Sequence, residues 1–203
     1  MRTRAGRLVG AVALAMAALL LAGCGGSGGG GLGGGLGSPQ VKVDTPALRA
    51  LKHRAHIQDC PATTAPPAAH GLSDVELPCL GGGRSVNPAR LRGPMVVNLW
   101  AQSCAPCREE MPRLQAFAQK YAGKVAVLGV DWSDYRPELA LQLARKAGTT
   151  YPLVADTVPH LRTGALPTTI LVDAHGDIVF ERAMIIRSVA QLEGLVQQHL
   201  GVS

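Results

Sequence analysis

The residues best equipped for covalent chemistry are two cysteines separated by two positions, Cys104-Ala105-Pro106-Cys107. Disulfide exchange requires a thiolate, and an ordinary thiol is mostly protonated near neutral pH. A helix N-terminus supplies unpaired N–H groups and the positive end of the helix dipole, and both favour the anion. Two intervening residues let one helical turn bring the sulfurs together, with the first exposed at the helix tip and the second partly covered. Cys104 is then the attacking thiol, and Cys107 resolves the mixed disulfide. Pro106 lacks an N–H where the first turn does not need one. A C-x-x-C pair can also be half of a zinc site, but a zinc ribbon wants a second pair and the sequence has none.

The flanking segments have the patterns needed to position such a pair. Residues 95–100 (MVVNLW) are a short apolar run rich in β-formers, as expected of a strand buried on both faces. Residues 106–121 follow as a helix, with Met111, Leu114, Ala118 and Tyr121 on one face and Pro112 as a source of kinking. Residues 125–131 read as the next strand. Residues 137–147 read as a helix striped by Leu139, Leu143 and Ala147 and closed by Gly148. A short strand is expected at 153–155. Residues 169–173 and 178–181 flank a hairpin turn, and Ser188 with Gln191 caps a last helix that ends near Leu200. Residues 75–79 and 84–87 around Gly81-Gly82-Gly83 read as an additional N-terminal hairpin. Alternating strands and helices, then a hairpin and a helix, imply an α/β sandwich around a mixed sheet.

The segment Trp100-Ala101-Gln102-Ser103-Cys104-Ala105-Pro106-Cys107-Arg108-Glu109-Glu110-Met111-Pro112 resembles the active-site signature of the TlpA/ResA/DsbE-type thioredoxin-like proteins. Gly164-Ala165-Leu166-Pro167-Thr168-Thr169 resembles that family's cis-proline loop, and Asp156 stands at the family's spacing before it. The resemblance covers about residues 70–200 and implies a thioredoxin-like α/β/α sandwich. It also implies that Pro167 is a cis proline facing the disulfide and that Leu166 offers its backbone to an extended substrate; Thr168 and Trp100 are candidate further contacts, with core packing at least as good a reading for Trp100. Glu110 matches the acidic residue that tunes thiol reactivity in ResA-like members; the plainer alternative is an acid in a helix first turn. Asn98 occupies the place where cytoplasmic thioredoxins bury an aspartate. Ser103 departs from the tryptophan usual before the first cysteine, which puts the apolar contact surface in doubt but not the redox chemistry.

Upstream, Arg2, Arg4 and Arg7 precede an apolar run over residues 8–21, and Leu21-Ala22-Gly23-Cys24 resembles a bacterial lipobox. That resemblance implies removal of residues 1–23 and lipid on Cys24, with two or three acyl chains as a firm anchor. An uncleaved signal anchor is the alternative, although the run is short for a span. Residues 24–38 carry a glycine-rich tether, 39–71 an irregular segment with one short helix near 45–56, and 72–203 the thioredoxin-like domain. Either reading of the N-terminus places the domain outside the cytoplasm.

There, Cys60 and Cys79 are expected to pair. A loop of that length would stabilise the fold by roughly 3 kcal/mol in the chain-entropy model. A second redox pair is the sharper alternative, but neither cysteine has a helix N-terminus to activate it. The six histidines form no ligand set, and His160 reads as a surface residue. The formal charge of +6 includes the three leader arginines and no basic block, so nothing argues for nucleic acid. Aromatics make up only 3% of the chain, so the core must be aliphatic.

The leading expectation is dithiol–disulfide exchange with protein cysteines and no organic cofactor or metal, since the thiols carry both electrons. The family context suggests a reductant of apocytochrome c supplied by a membrane thiol donor. An oxidative-folding oxidase or isomerase is the first alternative, and a copper- or zinc-handling protein on the same fold is the second. A peroxidase is disfavoured because no cysteine is flanked by Pro and Thr.

Overall fold

The structure is a computed structural model that describes residues 41–203. The expected signal segment, the lipidation at Cys24 and the glycine tether lie outside the described residues. The first element is α1 (Pro46–Arg54), started by Thr45, whose Oγ1 accepts from Leu48 N at 3.3 Å, with Pro46 in the first turn. This is the short helix expected in the N-terminal segment. It buries Leu48 and, unexpectedly, Lys52.

The sheet comprises β1 (Met95–Trp100), β2 (Ala126–Trp132), β3 (Leu153–Asp156), β4 (Thr168–Val172) and β5 (Ile178–Ala183), in the order β3-β2-β1-β4-β5. The pairs β1–β2 and β2–β3 are parallel, and β4 runs antiparallel to both β1 and β5. Strand β1 is central and every residue in it is buried, as its largely apolar run requires, with Asn98 its one polar side chain. Helices α2 (Ala105–Lys120), α3 (Pro137–Ala147) and α4 (Val189–Leu200) complete the domain. Gly148 and Gly201 end α3 and α4 in the left-handed conformation, with φ of 72° and 68°. Ser188 Oγ accepts from Gln191 N, while the Gln191 side chain reaches past Ser188 to Arg187 N.

One face of the sheet carries Val96, Trp100, Val127, Leu153, Ala155 and Leu171. It packs in one core with side chains from all four α-helices. The opposite face carries Val97, Leu99, Leu128, Val130, Ile170 and Val172. Its cover comes from irregular chain, through Leu72, Leu77, Val86, Leu91 and Leu161. The second outer layer of the sandwich is therefore loop and a 3₁₀ turn at Pro88–Arg90 rather than helix.

The expected N-terminal hairpin contracts to a single antiparallel bridge, Leu77 to Val86, with reciprocal hydrogen bonds of 2.9 and 2.8 Å. Pro78 and Pro88 cannot donate to a longer ladder. Gly81 N turns away to Val43 O, and Cys79 bridges Val154 on β3 instead.

Candidate active site

Cys104 is the N-cap of α2, four residues beyond Trp100 at the end of central strand β1, and Cys107 lies in the first turn. The two are joined as a disulfide, with Cα atoms 5.3 Å apart. Cys104 Sγ accepts from Cys107 N at 3.2 Å, so one of the unpaired helix donors is aimed at the sulfur that must carry negative charge. Cys104 is half-buried and Cys107 fully buried. This asymmetry makes Cys104 the sulfur a partner can reach.

The loop ahead of Cys104 is held by groups the sequence did not single out. Gln102 N donates to Asp134 Oδ2 at 3.0 Å, and Arg108 Nη1 donates to Gln102 O at 3.0 Å. Asp134 Oδ1 also accepts from Arg136 N. Beside it, Asp131 is buried on β2 in register with Trp100, and burial followed by the Asp134 charge pushes its carboxyl well above the usual range. The available signal was the Asp-x-x-Asp spacing just past a buried strand, whose loops share an end of the sheet with Cys104.

Glu110 is fully buried on α2, three residues past Cys107 and so on the same helix face. Its Oε1 accepts from Asn98 Nδ2 and its Oε2 from Ile186 N, both at 2.8 Å. Burial pushes its carboxyl up to about 7, against the opposing pull of those two hydrogen bonds and of Arg113. Glu110 thus lies beyond the first turn of α2, buried, and holds its proton more tightly than an ordinary carboxyl.

Leu166–Pro167 is a cis peptide bond. Because Leu99 pairs with Thr168, the cis-proline loop lies beside the end of β1 that leads to Cys104. Leu166 is partly exposed and packs against both cores. Two expected substrate contacts need correction. Trp100 is fully buried, its indole lying over Gly129, where a Cβ would sit 3.0 Å from Nε1. Thr168 is also buried, and its hydroxyl is engaged with Ala165 O and Thr163 Oγ1, both at 2.6 Å. Neither side chain is exposed; of the three, Leu166 alone is partly exposed. A second cis bond, Gly93–Pro94, was not foreseen.

His160 is half exposed, and its Nδ1 lies 2.8 Å from buried Asp156. Among the described residues, no group of three or more His, Cys, Asp or Glu side chains is arranged to hold a metal ion. No helix among them is long and apolar enough to cross a membrane.

A Cys-x-x-Cys pair capping a helix after the central strand, next to a cis-proline loop on the neighbouring strand, defines a thioredoxin-like protein. Residues 69–181 match the AhpC/TSA family, and the chain belongs to it. The chain is 33% identical over 104 residues to thiol-disulfide oxidoreductase ResA of Halalkalibacterium halodurans, covering 48% of this chain and 58% of that protein. It is 36% identical over 93 residues to thiol:disulfide interchange protein DsbE of Allochromatium vinosum, covering 43% and 49%. The chain thus spans between about half and three-fifths of these curated relatives. The fold superposes on a DsbF homologue from Corynebacterium diphtheriae with a TM-score of 0.55 at 21% identity, over 70% of this chain and 99% of that one. A putative DsbE from Chlorobium tepidum superposes with the same TM-score at 21% identity, over 66% and 96%.

Proposed function

We propose that the chain is a thiol–disulfide oxidoreductase that exchanges electrons with protein cysteines outside the cytoplasm, in the role of a reductant. The observation that carries the exchange chemistry is the placement of Cys104 and Cys107, one sulfur half-buried at a helix N-terminus and the other buried one turn behind it; the reductant direction rests on the family resemblance. In the reduced protein the Cys107 N–H and the α2 dipole favour the Cys104 thiolate. That thiolate attacks one sulfur of a substrate disulfide and expels the other as a thiolate. Cys107 then attacks Cys104 Sγ, and the second substrate thiol leaves as the intramolecular disulfide closes. The two electrons pass to the substrate without an organic cofactor.

Glu110, poised near neutrality on the Cys107 face of α2, takes the Cys107 proton as that thiol becomes a nucleophile. The cis Leu166–Pro167 loop positions the substrate backbone, and Leu166 supplies the apolar contact. The resemblance of residues 100–112 and 164–169 to TlpA/ResA/DsbE-type proteins is what suggests apocytochrome c as the substrate and a membrane thiol donor as the electron source. Lipid on Cys24 would hold the domain at that membrane.

The deciding experiment equilibrates the Cys104–Cys107 pair in glutathione or dithiothreitol buffers. A potential near or below about −270 mV supports the reductant role, whereas one near about −120 mV makes the protein an oxidative-folding enzyme.

A further inference from the structure

A second disulfide joins Cys60 to Cys79, apart from the Cys104–Cys107 pair. The buried ammonium of Lys52 sits 3.4 Å from Cys79 Sγ. Lys52 Nζ also donates to Gly82 O and to Asp59 Oδ1, each at 2.9 Å. The three ammonium donors are thus divided among a carbonyl, a carboxylate and a sulfur. A disulfide sulfur accepts weakly, whereas a thiolate beside an ammonium gains a charge-assisted contact. The Lys52 contact therefore favours the reduced state of Cys79.

The turn above the sulfur is shaped around this lysine. Gly81, Gly82 and Gly83 all have positive φ, and a Cβ on Gly81 would fall 2.8 Å from Lys52 Cβ. At exposed Gly83, the place of a missing Cβ lies 3.5 Å from Lys52 Nζ and 3.7 Å from Cys79 Sγ. A surface cavity of about 460 Å³, lined by Lys52, His53, Asp59 and the three glycines, opens there. Cys60 and Cys79 are themselves buried and neither lines this cavity, whose wall beside Cys79 is formed by Lys52 and the glycines.

We infer that Cys60–Cys79 is a second redox-active disulfide, made reducible by Lys52 and exchanging with small monothiols. The thiolate of a first monothiol bonds to Cys79 Sγ as the Cys60–Cys79 bond breaks, and the electron pair leaves on Cys60, which takes up a proton. A second monothiol attacks the sulfur of the first and releases a small-molecule disulfide. Cys79 departs as a thiolate facing Lys52. Two monothiols are oxidised and one protein disulfide is reduced. Activation that neither cysteine can draw from a helix N-terminus comes instead from a lysine 27 residues upstream of Cys79.

The test uses the full chain at pH 8 in buffers of reduced and oxidised glutathione. Free thiols are trapped by alkylation and read by mass spectrometry on the Cys60 and Cys79 peptides alone. Lys52→Met is expected to move the equilibrium about tenfold toward the disulfide, equivalent to about 30 mV. Asp59→Asn, which frees the ammonium from its carboxylate, is expected to move it the opposite way, and Lys52→Arg to return it toward the parent. Exchange through Cys104–Cys107 in the same samples reports folding. If Lys52→Met fails to fold, Asp59→Asn decides alone. Opposite shifts support the inference; no shift beyond twofold, or shifts of one sign in both variants, overturn it.

Discussion

Asn98 on central strand β1 donates from Nδ2 to the buried carboxyl of Glu110 on α2 at 2.8 Å, bridging sheet and active-site helix directly beneath the Cys104–Cys107 turn. The second Glu110 oxygen reaches Ile186 N, in the chain just ahead of α4. A single acid thereby ties together three separate parts of the domain, and its protonation is coupled to both stability and chemistry.

Glu110 titrates near 7 in the folded protein against an ordinary value of 4.5. The folded state therefore holds this proton more tightly than the unfolded one. The associated stability is fully present below about pH 4.5 and is lost as pH rises through about 7. Glu110→Gln keeps an acceptor but cannot ionise, so denaturant unfolding should show a flatter loss of stability across that window. Its disulfide-exchange rate should also lose an inflection near pH 7.

Asp131 follows the same sign, because burial and the neighbouring Asp134 raise its carboxyl far above 3.8. Ionisation is then opposed in the fold, and stability falls as pH rises through the folded value. Asp131→Asn should be less pH-sensitive than the parent, with its relative gain largest at the alkaline end of a series of urea titrations. Asp134→Ala should instead cost about 1–2 kcal/mol and slow exchange, since Gln102 N loses its acceptor.

Cys107→Ser should accumulate mixed disulfides through Cys104, visible as thiol-sensitive adducts on non-reducing gels, whereas Cys104→Ser should trap none. Adducts that form on Cys107 in Cys104→Ser would reverse the assigned roles. The reason is exposure: Cys104 is reachable and Cys107 is not.

Cys60→Ser should destabilise the domain by roughly 3 kcal/mol, as expected for removing a crosslink of this loop length, while sparing most exchange through Cys104–Cys107. Thermal unfolding and insulin-reduction assays on the same preparation separate the two effects. A folded variant without exchange activity would make the bridge part of the main site.

What the sequence by itself determined was local. Strand β1 follows from a short β-forming run with five apolar residues in six, α2 from a cysteine cap and a proline in its first turn, and the ends of α3 and α4 from Gly148 and Gly201. The redox pair was legible for the same reason: Cys104 and Cys107 are brought together by one turn of helix and need no distant partner. Tertiary structure decided the rest, because its partners are distant in sequence and meet only through sheet order and helix packing. Glu110 meets Ile186, Asp134 meets Gln102, and Lys52 meets Cys79. Trp100 shows the limit: the sequence left it between a substrate contact and the core, and a strand covered on both faces places it in the core. Alternation along a strand tells which residues share a face. Whether that face meets solvent, a helix or another charged side chain depends on what the remaining chain packs against it.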